Sequence, residues 1–198
     1  MLLTESVNTY KKAEEMVAAR ICFQMQERKD LIIKYKKLLQ NCADKMCGPP
    51  FAVFHWHKGI RNGLNVEVGI PVTHFIEADE IQSSLIKEED VLTITHIGSH
   101  KSLKKAYRKI FRWIQEHEIA IQAVTREIYH ELNYDNPENN VTEVQIFLRN
   151  WNSDYARIFS HIPSKDVPEH VGQDFEEIGA RCCSEKPETL IFHPPDCI

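Results

Sequence analysis

Glu143 lies in the run Thr142-Glu143-Val144-Gln145-Ile146-Phe147-Leu148, which has a two-residue period. In a strand, Glu143, Gln145 and Phe147 share one face, and Val144, Ile146 and Leu148 share the other. If the aliphatic side lies under helices, the carboxylate projects from the open side. Excluding water there would strengthen its attraction for a delocalised cation. The same setting could raise its pKa and make it a general acid or base. The plainer reading is a solvated strand glutamate. Glu67, in Val66-Glu67-Val68-Gly69-Ile70-Pro71-Val72, has the same placement about 76 positions earlier.

The flat side chains that could flank such an acid are Phe54, Trp56, Tyr107, Trp113, Tyr129 and Phe147. Rings of this kind stack planar ligands and attract cations. Tyr107 and Trp113 sit on a helical stripe, where core packing is an equal reading. Tyr129 and Trp56 sit on strands and are expected to face the groove. His130 is the candidate partner of Glu143, holding the carboxylate or shuttling a proton. His100 is a further candidate near the groove. His55 and His57 form an H-x-H pair that could bind zinc with a carboxylate, but they face away if Trp56 faces the groove. No metal and no cofactor are therefore expected. Cys22, Cys42, Cys47, Cys182, Cys183 and Cys197 are irregularly spaced, which suits free thiols in a chain without an export signal. Lys101, Lys104, Lys105, Arg108, Lys109 and Arg112 read as the solvated side of a helix, or else as a surface for an acidic protein partner.

These residues need elements to position them, and the elements come in two copies. Strands are expected over 7–13, 16–26, 51–57 and 64–72, with a helix over 28–46 whose apolar stripe includes Leu31, Tyr35 and Leu38. Gly48-Pro49-Pro50 is the expected stop signal for that helix. The order returns as strands over 80–87, 90–96, 126–132 and 141–148, with a helix after Ser102, a candidate N-cap. A period near 75 residues suits a duplicated small domain. The fold class is thus α+β: two strand–helix–strand–strand modules in one curved, mostly antiparallel sheet, with both helices on one face. The halves span about 7–75 and 76–150 within a domain over 1–150. Residues 151–198, with a short helix expected over 173–183, read as a C-terminal appendage packed on that domain. The seam between paired halves is a common place for a ligand.

The 198 residues carry a net charge of -5, which argues against nucleic acid as the main partner. No apolar run reaches the length of a membrane span, and the first residues lack a signal-peptide pattern. The expected location is the cytoplasm.

Several stretches together resemble a GyrI-like domain: Gly48-Pro49-Pro50-Phe51-Ala52, then 66–72, then Ile97-Gly98-Ser99-His100, Ala106-Tyr107 and Trp113-Ile114-Gln115-Glu116-His117, and last Thr142-Glu143-Val144-Gln145-Ile146. The match covers roughly residues 10–150, in order. The resemblance implies a groove at a pseudo-twofold axis. It also implies a role like the effector-binding parts of AraC-type and MerR-type transcription regulators, which bind hydrophobic and often cationic compounds. A stand-alone binding protein for such molecules is the first expectation, with no direct DNA contact. The second is a hydrolase of reactive cyclopropane-type molecules, using Glu143 as acid or base with a Tyr or Trp positioning the substrate. The third is an interaction protein, such as a gyrase inhibitor or regulator subunit. Exposed sheet edges could also pair two copies of the chain. Ser99-His100 departs from the Pro-Tyr that many relatives carry after the glycine, exchanging a phenol for an imidazole.

Overall fold

The computed structural model describes residues 7–13, 15–56, 64–133 and 135–149, with only the backbone of 7–9, 12 and 28. The appendage expected over 151–198, its helix over 173–183, Cys182, Cys183, Cys197 and His57 lie outside the described residues. The elements run β1 (Val7–Ala13), β2 (Met16–Met25), α1 (Arg28–Cys42), β3 (Phe51–His55), β4 (Leu64–Pro71), β5 (Glu77–Ala78), β6 (Ile81–Ile86), β7 (Glu89–Ile97), α2 (Leu103–Glu116), β8 (Ile121–Glu131) and β9 (Val141–Leu148).

The strands form one sheet in the order β1-β7-β9-β8-β3-β4-β2-β6-β5. Every pairing is antiparallel. The order shows the duplication. The triplet β2-β4-β3 answers β7-β9-β8, and the two triplets meet where β3 pairs with β8. The leading strand of each half is exchanged: β1 adds to β7 of the second half, and β6 adds to β2 of the first. In the central ladder Phe51 faces Ile128, Ala52 faces Glu127 and Val53 faces Arg126. Because the repeat offset there is about 75 positions, Ala52 and Glu127 are mates of each other, and the pseudo-twofold passes between them.

Both helices lie on one face. α1 covers a core of Ala19, Ile21, Leu38, Phe54, Val66, Val68 and Ile70, while α2 covers Leu92, Ile94, Val144, Ile146 and Leu148. Each fully buried aliphatic side chain contributes roughly 1.5–3 kcal/mol, so the helices are held by their stripes rather than by propensity. α2 buries Leu103, Ala106, Tyr107, Ile110, Trp113 and Ile114. α1 starts where Asp30 Oδ2 accepts the Glu27 backbone N–H at 3.0 Å.

Several local expectations need correction. α1 ends at Cys42 and passes into a 3-10 turn, Ala43–Lys45, before the Gly-Pro-Pro run is reached. Ser102 makes no side-chain cap. Its backbone is already helical instead of extended, and its Oγ turns back to the Ser99 carbonyl at 2.7 Å and His96 Nε2 at 2.9 Å. β8 begins at Ile121, five residues before the expected start, because its first part still finds partners on β9.

The exchanged strand β1 is tied down by side chains as well as by its ladder. The Tyr10 hydroxyl donates to Asp90 Oδ1 at 2.6 Å, and Lys11 Nζ reaches Glu143 Oε1 at 2.6 Å. Burial alone would raise the Glu143 carboxyl. Hydrogen bonds from His130, Lys11 and Gln145 outweigh it and hold the pKa at about 2, against an ordinary 4.5. A carboxyl depressed in the folded state stabilises the fold above its unfolded pKa and loses that effect as pH falls. Urea midpoints should therefore drop between about pH 4.5 and 2 in the native chain. In Glu143→Gln the Glu143 share of that drop, on the order of 1–3 kcal/mol, should be missing. Gly69 supplies a second check. A Cβ there would stand 2.2 Å from the Phe51 ring, which crosses its backbone from β3. Gly69→Ala is expected to cost about 1–3 kcal/mol in a urea titration, and Phe51→Leu in the same chain should recover part of it.

Candidate ligand-binding site between the helices

Alternation sorts the candidate residues onto two faces. Glu143 points to the face opposite the helices, as its strand pattern requires, yet it is only 8% exposed. It is surrounded by polar partners rather than rings. Besides Lys11, it is bonded by His130 Nε2 at 3.1 Å and by the Gln145 amide at 2.7 Å. Of the expected aromatics only Phe147 shares this face, where its ring lies under the Arg126 guanidinium. Glu67 repeats the arrangement in the first half: Arg20 and His55 bond it, His55 Nε2 at 2.7 Å. The His55 hydrogen bond, with Arg20 beside it, holds the Glu67 carboxyl below the usual range. His55 and His130 occupy equivalent places, two residues beyond the cross-strand partners of Glu67 and Glu143. A depression of about 440 Å³ opens beside Glu67, lined also by Cys22, His55 and Asn65. Both acids are thus already neutralised by basic neighbours, which weakens either one as a receptor for a cation.

The rings are on the other face. Trp56 packs with Phe54 at 5.9 Å between centroids, and its Nε1 donates to Thr125 Oγ1 at 3.0 Å. Trp56 belongs to the core under α1, so the expectation that it faces away from the helices is overturned, and His55 takes the open face instead. Tyr129 also packs under α1, edge-on to Tyr35 at 6.1 Å. Trp113 is a core residue of α2 stacked on His117 at 4.1 Å, and that imidazole closes the helix through Nδ1 to the Trp113 carbonyl at 2.8 Å. His100 stands in the 3-10 turn leading into α2.

What the rings enclose is a different acid. Glu127 on β8 faces the helices and is 2% exposed. Tyr107 of α2 donates to its Oε1 and Tyr129 of β8 to its Oε2, both at 2.9 Å. Tyr129 belongs to the core under α1 and Tyr107 to the core under α2, so this carboxylate joins the two cores. Its mate across the pseudo-twofold is Ala52, which offers only a methyl group. Tyr35 packs on Tyr129 and Phe111 on Tyr107, while Phe54 and Trp56 lie in the same core as Tyr129. α1 packs mainly on β2 and β4, and α2 on β7, so Glu127 lies where the two helix-covered cores meet. A carboxylate held by two phenols in an apolar surround can receive a soft, delocalised cation, since such a ligand loses little hydration on entry.

Tyr107 and Tyr129, expected near Glu143, both donate to Glu127. Adjacent strand residues project to opposite faces. Tyr129 and His130 therefore cannot both flank one carboxylate. His130 goes with Glu143, and Tyr129 goes with Glu127. A polar residue on the strand face that otherwise carries Thr125 and Tyr129 toward a helix was the available signal. Among the described residues no group of His, Cys, Asp and Glu is arranged to hold a metal ion, and no described helix is long and apolar enough to cross a membrane.

None of the curated proteins matches the chain in sequence. Solved structures share its fold. The C-terminal domain of EcmrR aligns with a TM-score of 0.62 at 18% identity, over 74% of this chain and 99% of that one. EcmrR in its DNA complex gives 0.59 at 19% identity over 69% of this chain, which spans only 55% of the EcmrR chain. SAV2435 bound to tetraphenylphosphonium gives 0.51 at 12% identity, over 71% of this chain and 93% of that one. A conserved protein from Listeria innocua gives 0.53 at 12% identity, over 71% and 92%. A family model for the GyrI-like small molecule binding domain matches residues 11–149, from within β1 past the end of β9 with both helices, and the chain belongs to that family.

Proposed function

We propose that this protein binds a hydrophobic aromatic molecule, preferentially a cationic one, in the seam between α1 and α2, with Glu127 as counter-charge. The observation that carries the reading is a buried carboxylate whose two oxygens accept from phenols of different cores, one under each helix. The fold alignment with SAV2435, a protein bound to tetraphenylphosphonium, supports the choice of ligand class. Ligand charge would replace part of the phenol hydrogen bonding. The rings that now pack on one another would offer their faces. The role is that of an effector-binding or sequestering module. Among the described residues both helices are committed to the sheet, which leaves neither available to read a DNA groove.

Tryptophan fluorescence tests this directly, because Trp56 stacks on Phe54 within the same core as Tyr129. Tetraphenylphosphonium should quench it saturably, whereas neutral triphenylphosphine oxide should bind more weakly. Glu127→Gln keeps the shape of the side chain and removes the charge. It should weaken the cation by tenfold or more, about 1.4 kcal/mol per tenfold, and leave the neutral compound nearly unchanged. Tyr107→Phe should have a smaller effect in the same direction, since one phenol remains. Equal loss for both ligands in Glu127→Gln, with an unaltered melting temperature, would remove the charge from the mechanism. Undiminished binding would remove the site.

A further inference from the structure

Arg126 directly precedes Glu127 on β8 and therefore projects to the opposite face, away from both helices. It is 1% exposed and among the largest fully buried side chains. Its Nε donates to Gln145 Oε1 at 2.7 Å, and its guanidinium lies 5.3 Å from the centre of the Phe147 ring. Its Nη2 is buried and has no hydrogen-bond partner. Apolar side chains surround it: Val53 is its partner across the central ladder, with Phe51 and Ile128 beside it and Val91 next to Phe147. Glu143 and Glu89 are close enough to act on the guanidinium electrostatically, but neither accepts from Nη2. A buried guanidinium donor without an acceptor is costly. The partner that relieves it best is a planar oxyanion, which matches the fork of the guanidinium.

We propose that Arg126 is the receptor of a carboxylate subsite on the sheet face opposite the helices, distinct from the cation site at Glu127. The carboxylate would be attached to an apolar body small enough to seat among Phe147, Val53 and Ile128, each at least nine-tenths buried. Two sources have this chemistry. One is a free aromatic or aliphatic carboxylic acid. The other is a carboxylate of residues 150–198, a stretch with nine acidic and four basic residues.

The experiment uses the full chain, with benzoate and its uncharged analogue benzamide as probes at constant ionic strength. A free-ligand site predicts that benzoate raises the melting temperature and titrates in calorimetry, while benzamide does neither. Arg126→Gln should weaken benzoate at least tenfold without altering tetraphenylphosphonium binding. Arg126→Lys, which keeps the charge but not the fork, should fall between and serves if the glutamine variant does not fold. A carboxylate from 150–198 predicts instead that benzoate is inert. Changing the acids of that stretch to amides should then lower the melting temperature in the native chain but not in the Arg126 variant. The proposal is overturned if benzoate is inert and the acid-to-amide change has the same effect whether or not Arg126 is present.

Discussion

Two hydrophobic cores, each beneath its own helix, meet at one carboxylate. Glu127 reaches the core of α1 through Tyr129 and that of α2 through Tyr107. A buried carboxylate is tolerated only when its oxygens are satisfied, so the two phenols and the acid fix one another's positions. The central ladder then gives the acid a special place. Its mate is Ala52, and the pseudo-twofold passes between them. A symmetric duplication would put two like charges in contact on that axis, or none. With alanine in one copy and glutamate in the other, the chain keeps a single charge there with no like-charge repulsion.

The exchange of leading strands explains why the two halves behave as one body. β1 is part of the first half in sequence but of the second in the sheet, and β6 is the reverse. Neither half can complete its strand set alone. The ion pair from Lys11 to Glu143 ties an exchanged strand to the half that receives it. Arg20 does the same in mirror fashion, bonding Glu67 of its own half and Ser84 of the incoming β6. Glu67 and Glu143 thus belong to the machinery that keeps the halves interlocked, and each recruits a histidine at the equivalent position.

Much of this was legible in the sequence. The two-residue period of 141–148 matched β9 in both extent and facing, because a strand under a helix needs an unbroken aliphatic row. The duplicated order of elements and the stripe of α2 were equally clear. The position of the acid was not, for a physical reason. Glu127 stands in Thr125-Arg126-Glu127-Ile128-Tyr129, where polar and apolar types occur on both faces and the two-residue period vanishes. β8 is one of the two strands that meet at the pseudo-twofold. Its outer face holds the buried Arg126, and its inner face spans the boundary between the two helix-covered cores. Patterns of hydrophobicity report coverage by a helix, and they weaken where two helices part. The cap expected at Ser102 failed for a related reason: a hydroxyl with several acceptors nearby cannot be assigned from its position alone.

With the rings and Glu127 gathered under the helices, the opposite face is left to its own charged network around Arg126 and Glu143. An aromatic cation must therefore choose the helix side of the sheet. A crystal structure of the protein with tetraphenylphosphonium decides this most directly. The phosphonium should lie between α1 and α2, with Glu127 the nearest carboxylate and the rings of Tyr107 and Tyr129 turned to face the ligand. A phosphonium bound on the opposite face, against Glu143 or Glu67 with the Glu127 phenol bonds undisturbed, would contradict it.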